Sequence, residues 1–408
     1  MDTLIQKTKK VLLSPWLALI TFAVLLTVKL ANPYLVESTR LKFYDYLMLG
    51  SPTQSEQIVT VNIGEKAIEK YGQWPFPREV HAKIIGDIYG RGAALVGSTI
   101  LMPESDRMGT DRVLADTLNQ YPVVLSQTVS DSCSRASATI RRTGVAVIGD
   151  GEATEFLPQY PCVLSNVSVL QEAAVGVGIT STLPETDGVV RRVPLLSQSS
   201  GEYYPAFALE MLRVAAGDSS YQAKINQTGV EALRIPSFET IKTDEYGRVF
   251  VNPNYVFPTV EVGSDIPRLD GKIVILGVTA AGIANPVATP SGAQHPHVLQ
   301  ASLLETLING DSVSIPNWSA IVDLAAFLGL ALALIILSRF RFSIIFIAVL
   351  LGGYFYLPLY LFAQQGILLD VTFNIFAIAI IYMHIYTVKF ISEFLQKQQI
   401  KKQFGSYL

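Results

Sequence analysis

Apolar residues in this chain are gathered rather than spread. The run VLLSPWLALITFAVLLTVKL at 11–30 and a longer apolar region at 318–391 bracket a middle stretch that reads as an ordinary globular sequence. About 20 apolar residues is what one helix needs to cross a bilayer, and backbone exposed to lipid must be helical or part of a closed barrel. The two ends are therefore read as membrane helices and the middle as a domain that folds in water. Composition agrees: half of the chain is hydrophobic and 16% is charged, where soluble domains carry roughly 25% charged residues.

The carboxy-terminal apolar region is interrupted twice, by SRFRF (338–342), with Arg339 and Arg341, and by AQQGI (363–367), which carries no charge. Four spans are predicted, at 11–30, 318–338, 342–363 and 367–389. Lys7, Lys9 and Lys10 precede the first span, the two arginines separate the second from the third, and Lys397, Lys401 and Lys402 follow the fourth. The positive-inside rule then puts residues 1–10 and 390–408 in the cytoplasm and residues 31–316 outside. A cleaved signal peptide is the competing reading of 11–30, but the run is longer than a usual signal core and lacks a small-x-small site ahead of NPYLVEST. Trp318 fits an interfacial anchor, and Pro358 is tolerable inside a bundled span. Ionisable residues in the spans are sparse: Asp323 and Asp370 near the outer ends and His384 deeper in. That argues against a transporter or channel, which uses such groups at mid-membrane.

The net charge of −3 and the lack of a basic stripe exclude a nucleic-acid partner. Cys133 and Cys162 lie in turn-like surroundings of the middle region. They make one disulfide if that region lies outside the cytoplasm, and two buried thiols otherwise.

Within 31–316, IVTVNI (58–63), AALVGSTIL (93–101) and PVVLSQTV (122–129) read as strands. They are separated by a helix opening near Pro77 and closing at Gly90 or Gly92, and by a second helix with Thr110 as its N-cap. The first helix has Val80, Ile84, Ile85 and Ile88 as its inner face. Strand–helix alternation of this kind implies a parallel core. Beyond residue 130, VGVGITST and GVVRRVPLLSQ read as two strands around the turn PETDG, which makes part of the sheet antiparallel. PAFALEMLRVAAG (205–217) is a helix ended by Gly217, RVFVN and KIVILGV are strands, and HVLQASLLETLINGD is a final helix. The predicted fold class is α/β: a mixed parallel and antiparallel sheet with flanking helices, plus four transmembrane helices.

Motifs that carry chemistry are few. GVTAAG (277–282) has two P-loop glycines but no Lys-Ser/Thr to reach phosphates or magnesium, and GVGITS (176–181) has no helix after it; both read as turns. His295 and His297 flank a proline, a spacing that suits a metal, yet no further ligand set is visible beyond a carboxylate such as Glu305; His295 in a loop and His297 near a helix start is the preferred reading. Asp187 before Gly188 is turn chemistry. Arg191 and Arg192 alternate faces on a strand, so one of them can meet an anionic ligand or simply pair across the surface. Asp45 is an isolated carboxylate. No nucleophile elbow and no zincin motif occurs. Asp187, Arg191, Arg192, His295 and His297 are the ligand-sensing candidates, with no catalytic residue and no metal site expected.

GQWPFPREVHAKIIGDI, GAALVGSTILM, DGVVRRVPL, LDGKIVILGVTAAGIANPVATP and HPHVLQASLLETLING follow one another in the order of a bacterial extracellular sensory domain. The region at 36–315 resembles the second type of CHASE domain, and one span before it with three after it resembles the usual build of such receptors. The chain departs from the family pattern at Ser98 and Thr99, where an aspartate is common, and at Gln300, where a histidine is often found. The resemblance implies a multi-pass protein of the bacterial inner membrane with a periplasmic domain responding to an unknown small-molecule or protein stimulus. KKQFGSYL is similar to the segment just ahead of the catalytic domain in class III adenylate and guanylate cyclases of this type. None of the cyclase residues is present, so no cofactor is expected in this chain, and Mg and ATP enter only if a cyclase domain follows; a protein with no output domain is the alternative.

The approach to that tail, 390–408, reads as a cytoplasmic connector helix. Val388, Ile391 and Leu395 are three and four apart, the spacing of a coiled-coil seam, and Ile400 with Phe404 forms a further pair. A homodimeric receptor is the favoured reading. The alternatives are an interfacial amphipathic end for this helix and, for the whole protein, an envelope assembly protein whose outer domain binds a periplasmic partner.

Overall fold

The computed structural model describes residues 16–133, 143–337, 340 and 343–404. Lys7, Lys9, Lys10, Arg339 and Arg341, on which the orientation was argued, lie outside the described residues. The chain forms two compact units, one running from Met48 to Ser314 and the other combining the residues up to Leu47 with those from Ile315 onward.

The α/β unit is built on a sheet of seven strands. Their order is Thr259–Glu261, Ile58–Ile63, Ile273–Val278, Leu95–Ser98, Val123–Ser130 and then Gly176–Ile179, with Cys162–Leu164 pairing the far end of Val123–Ser130. All pairs are parallel except the last. Ile58–Ile63 is buried on both faces, which is why its sequence is a near-continuous β-branched run. The three strands expected at 58–63, 93–101 and 122–129 do share one parallel sheet. The first two are not neighbours, however: Ile273–Val278 lies between them, pairing Ile273 with both Ile58 and Leu95.

The pairing expected around PETDG does not form. Gly176–Ile179 is fully buried and joins the central sheet in parallel. Arg192–Pro194 instead pairs antiparallel with Arg248–Phe250, and Leu196–Ser199 with Glu202–Pro205. A strand covered on both faces belongs to a sheet sandwiched between layers, here at its end, and not to a surface hairpin. Antiparallel structure is present, but between other partners. A second sheet orders Thr240–Lys242, Gly229–Arg234, Ser220–Asn226 and Gly144–Ile148.

Two apolar clusters cover the two faces of the central sheet. One includes Ile84, Ile85 and Ile88 of the Arg78–Gly90 helix and Leu114 and Leu118 of the Asp111–Gln120 helix. Each such side chain, fully buried, contributes roughly 1.5–3 kcal/mol. Val80 is only half-buried, and His81 takes an inward position on this helix instead. Thr110 stands at the N-cap position but does not cap: its hydroxyl donates to Asp106 and accepts from Glu79 N at 3.2 Å. The other cluster holds the Phe207–Ala216 and Pro296–Asn309 helices and the second sheet. Gly217 ends the first of these in a left-handed conformation at φ 73°, which a side chain would resist.

The membrane unit contains three helices long and apolar enough to span, Ser319–Leu337, Ile344–Gln365 and Thr372–Gln398. A fourth is counted if the bent pair Ala18–Ala31 and Tyr34–Met48, inclined at 70°, is one broken span. The Tyr34–Met48 helix was not anticipated, since Glu37, Arg40, Lys42 and Asp45 interrupt its apolar residues. Thr372–Phe404 is one continuous helix of 33 residues, which runs past the span into the expected connector. Pro358 lies inside the Ser343–Gln365 helix.

Candidate functional site

Ligands of parallel α/β sheets bind outside the carboxyl ends of the strands. At that edge Asn62, near the end of Ile58–Ile63, donates from Nδ2 to Glu261 Oε1 at 2.9 Å. Its Oδ1 lies 2.8 Å from His297 Nε2. Because the amide nitrogen is committed to a carboxylate, the oxygen must accept, so the Nε2 of His297 carries the hydrogen. Glu261, Asn62 and His297 thus form one hydrogen-bonded chain across two strands and the first turn of the Pro296–Asn309 helix.

The neighbouring strand makes room for this ring. A Cβ on Gly277 would lie 2.2 Å from His297 Cγ. His295 stacks beside His297 with ring centroids 5.9 Å apart, and its buried Nδ1 has no hydrogen-bond partner among the described residues. Glu65 accepts from Ala281 N at 2.9 Å, while Thr279 N and Ala280 N both reach Ile63 O. The amides of GVTAAG are therefore used inside the protein, as a turn requires and a phosphate cradle does not.

Burial pushes His297 from the ordinary 6.5 down to about 3, and the charge of His295 acts in the same direction. His81, packed against Trp74 and Phe76, is lowered to about 4 by burial first and Arg78 second. Both rings are neutral in the folded domain, whereas the unfolded chain takes up their protons below 6.5. Their contribution to stability is complete above pH 6.5 and is lost as pH falls toward the folded values, by about 1.4 kcal/mol per pH unit for each histidine. Urea unfolding followed by circular dichroism is expected to have a lower midpoint at pH 5.5 than at 7.5. The difference should shrink in a His297→Gln variant; an unchanged difference would remove His297 from this account.

The structure brings His295 and His297 together, with Glu261 rather than Glu305 as the carboxylate in their network. Glu305 accepts from Ser55 Oγ at 2.8 Å, two turns further along the helix. Asp187, Arg191 and Arg192 form a second cluster. Buried Arg191 grips Asp187 through two bonds of 2.9 and 2.8 Å, and this grip holds the Asp187 carboxyl below its usual range. Arg192 meets Glu185 at 2.6 and 2.8 Å and Asp244 at 3.1 Å. Arg191 is buried and pairs with Asp187 four residues before it, rather than across the surface.

Thr99 donates to Leu276 O at 3.0 Å and Ser98 Oγ accepts from Ile100 N at 3.4 Å. Gln300 accepts from Ala208 N and donates to Thr180 O. Cys133 and Cys162 are joined in a disulfide with Cα atoms 5.4 Å apart. Among the described residues no group of three or more His, Cys, Asp or Glu is arranged to hold a metal ion. On the last helix Val388 and Leu395 are half-buried and Ile391 and Ile400 exposed, while the side chain of Phe404 lies outside the described residues.

Asn62 and Glu261 were missed by sequence reasoning. The available signal was Asn62 itself, a polar residue near the end of an otherwise β-branched strand; Glu261 had none. A family model described as CHASE2 domain matches residues 17–337. Neither a curated protein nor a solved structure matches the chain.

Proposed function

The chain belongs to the CHASE2 domain family, and from that premise we propose that it is a transmembrane signal receptor with its α/β unit on the extracytoplasmic side. The observation that supports this reading is the order of parts: an α/β unit inside the family match, followed by three apolar helices, the last of 33 residues where about 20 suffice to span. A stimulus at the carboxyl edge of the sheet would act on His297, at the start of the helix that leads out of the domain toward Ser319. The signal would then pass to the connector helix, in a homodimer paired through Val388, Ile391 and Leu395. The output would be a class III cyclase domain using Mg and ATP; none of its residues lies in this chain.

Topology is the first test. Met108, in a loop of the α/β unit, and Lys397, on the last helix, are both exposed. In intact cells a membrane-impermeant maleimide should label a Met108→Cys variant and leave a Lys397→Cys variant unlabelled until the membrane is opened. Labelling of both positions from the same side would contradict the receptor reading.

A further inference from the structure

Lys29 lies in the last turn of the Trp16–Ala31 helix. Its ammonium donates to Asp323 Oδ2 at 2.6 Å and to Asn374 Oδ1 at 2.9 Å. Asn374, fully buried, turns its Nδ2 toward Asp323 Oδ1 at 2.7 Å, the Asp323 carbonyl at 3.1 Å and the Tyr354 hydroxyl at 2.7 Å. The rings of Phe373 and Phe327 lie 5.1 and 5.8 Å from the ammonium. Four helices, Trp16–Ala31, Ser319–Leu337, Ser343–Gln365 and Thr372–Phe404, each contribute one polar side chain to a single junction. In hydrocarbon such groups are costly unless paired, so they are seldom kept without a role.

A second tie joins the first and last of these helices, where Thr21 Oγ1 lies 2.7 Å from His384 Nδ1. From Lys29 to Thr21 is about 12 Å along a helix axis and from Asn374 to His384 about 15 Å. The two ties thus fit one antiparallel pair held in register at two levels.

What distinguishes the Lys29 junction from a simple staple is its place beside a corner. Three residues on, Asn32 adopts φ 40°, a left-handed conformation that asparagine accepts and a β-branched residue does not. Pro33 follows, and the chain turns by 70° into the Tyr34–Met48 helix. The far side of the corner is fixed by Asn32 Nδ2 donating to Glu37 Oε2 at 2.8 Å, with Arg40 bonded to the other oxygen at 2.6 Å. The Tyr34–Met48 helix runs directly into the α/β unit, which begins at Met48.

We propose that Lys29, Asp323, Tyr354 and Asn374 form a latch that couples the corner at Asn32–Pro33 to the last helix, so that a movement of the Tyr34–Met48 helix reaches Thr372–Phe404 through these four side chains. This rests on the receptor reading and names the route its signal takes within the membrane unit.

The test uses the full chain in lipid vesicles, with spin labels at Leu19→Cys on the first helix and Phe394→Cys on the last, both exposed positions. Asn32→Val forces the corner to change and stands in for a stimulus; Asn32→Thr, also β-branched and disfavoured at this left-handed φ, is used where the valine variant does not insert. With the junction intact, the corner variant is expected to shift the label distance by about 1–2 Å or more, the scale of helix shifts in switching bundles. In a Lys29→Met/Asp323→Leu background, which removes both charges together and strands neither, the same corner variant should leave the distance unchanged. An equal shift in both backgrounds would reduce the junction to a staple and overturn the latch. No shift in either background would overturn the receptor reading and the latch with it. Formation of the Cys133–Cys162 disulfide, read by mass, reports that the α/β unit has folded, and far-UV circular dichroism in the vesicles reports that the helices of each variant have formed.

Discussion

Replacing Glu210 by alanine is expected to destabilise the α/β unit by about 3–5 kcal/mol. Glu210 is fully buried in the Phe207–Ala216 helix. Its carboxylate accepts from Arg213 at 3.0 and 2.7 Å and from the Tyr221 hydroxyl. The space beside it is kept by Gly176, where a Cβ would lie 2.4 Å from Glu210 Oε1. Removing the carboxylate leaves a buried guanidinium without its counter-charge, bonded still to the Asp218 carbonyl, and a buried hydroxyl without its acceptor, and the uncompensated charge dominates the cost. A triple replacement, Glu210→Leu with Arg213→Met and Tyr221→Phe, separates this from lost packing. It removes the whole polar cluster, so it should unfold close to the parent protein. Thermal unfolding of the three proteins checks the order: parent and triple variant together, the single alanine variant well below.

Gly277→Ala is expected to lose about 1–3 kcal/mol, the usual cost of forcing a methyl group into a packed core. The new Cβ would lie 2.2 to 2.5 Å from His297 Cγ, Nδ1 and Cβ. That ring cannot swing aside cheaply, because its Nε2 is bonded to Asn62 and its helix is buried along most of its length. Gly86→Ala is the control: nothing lies within 4 Å of a Cβ there, and in the interior of the Arg78–Gly90 helix the added methyl should stabilise by about 0.5–1 kcal/mol. If the clash is with His297, the double variant Gly277→Ala/His297→Ala will be less destabilised than the sum of its singles, by about 0.5–3 kcal/mol. Strict additivity would mean that Gly277 is required for some other reason.

Sequence reasoning reached the local elements because local chemistry sets them. The run IVTVNI is a strand since its residues are β-branched and buried on both faces, and PAFALEMLRVAAG is a helix that stops where Gly217 turns left-handed. It did not reach the order of the strands. Ile273–Val278 enters between Ile58–Ile63 and Leu95–Ser98 from far along the chain, and nothing local in KIVILGV names its neighbours. VGVGITST failed for a related reason: alternating glycines resemble a hairpin arm, whereas their missing side chains let the Phe207–Ala216 helix approach, with a Cβ on Gly178 only 2.4 Å from Phe207 Cα.

The candidate site was half legible. The spacing of His295 and His297 was visible, but Glu261 reaches His297 only through Asn62, a relay that exists once three separate elements meet. In the membrane unit Asp323 stood out as a lone charge near the outer end of a span. Its partner Lys29, one residue from the end of the first predicted span, was not singled out, and neither was Asn374, which carries no charge.

Pairing of the last helix is the point on which a receptor of this design stands or falls. Single cysteines at Ile391 and Leu395, cross-linked in native membranes with a short bifunctional maleimide, measure it directly. A receptor that signals through Val388, Ile391 and Leu395 gives a cross-linked dimer at both positions, with a much lower yield at Lys389 and Glu393 on other faces of the helix. A monomer at 391 and 395, or equal yields at all four positions, would contradict it.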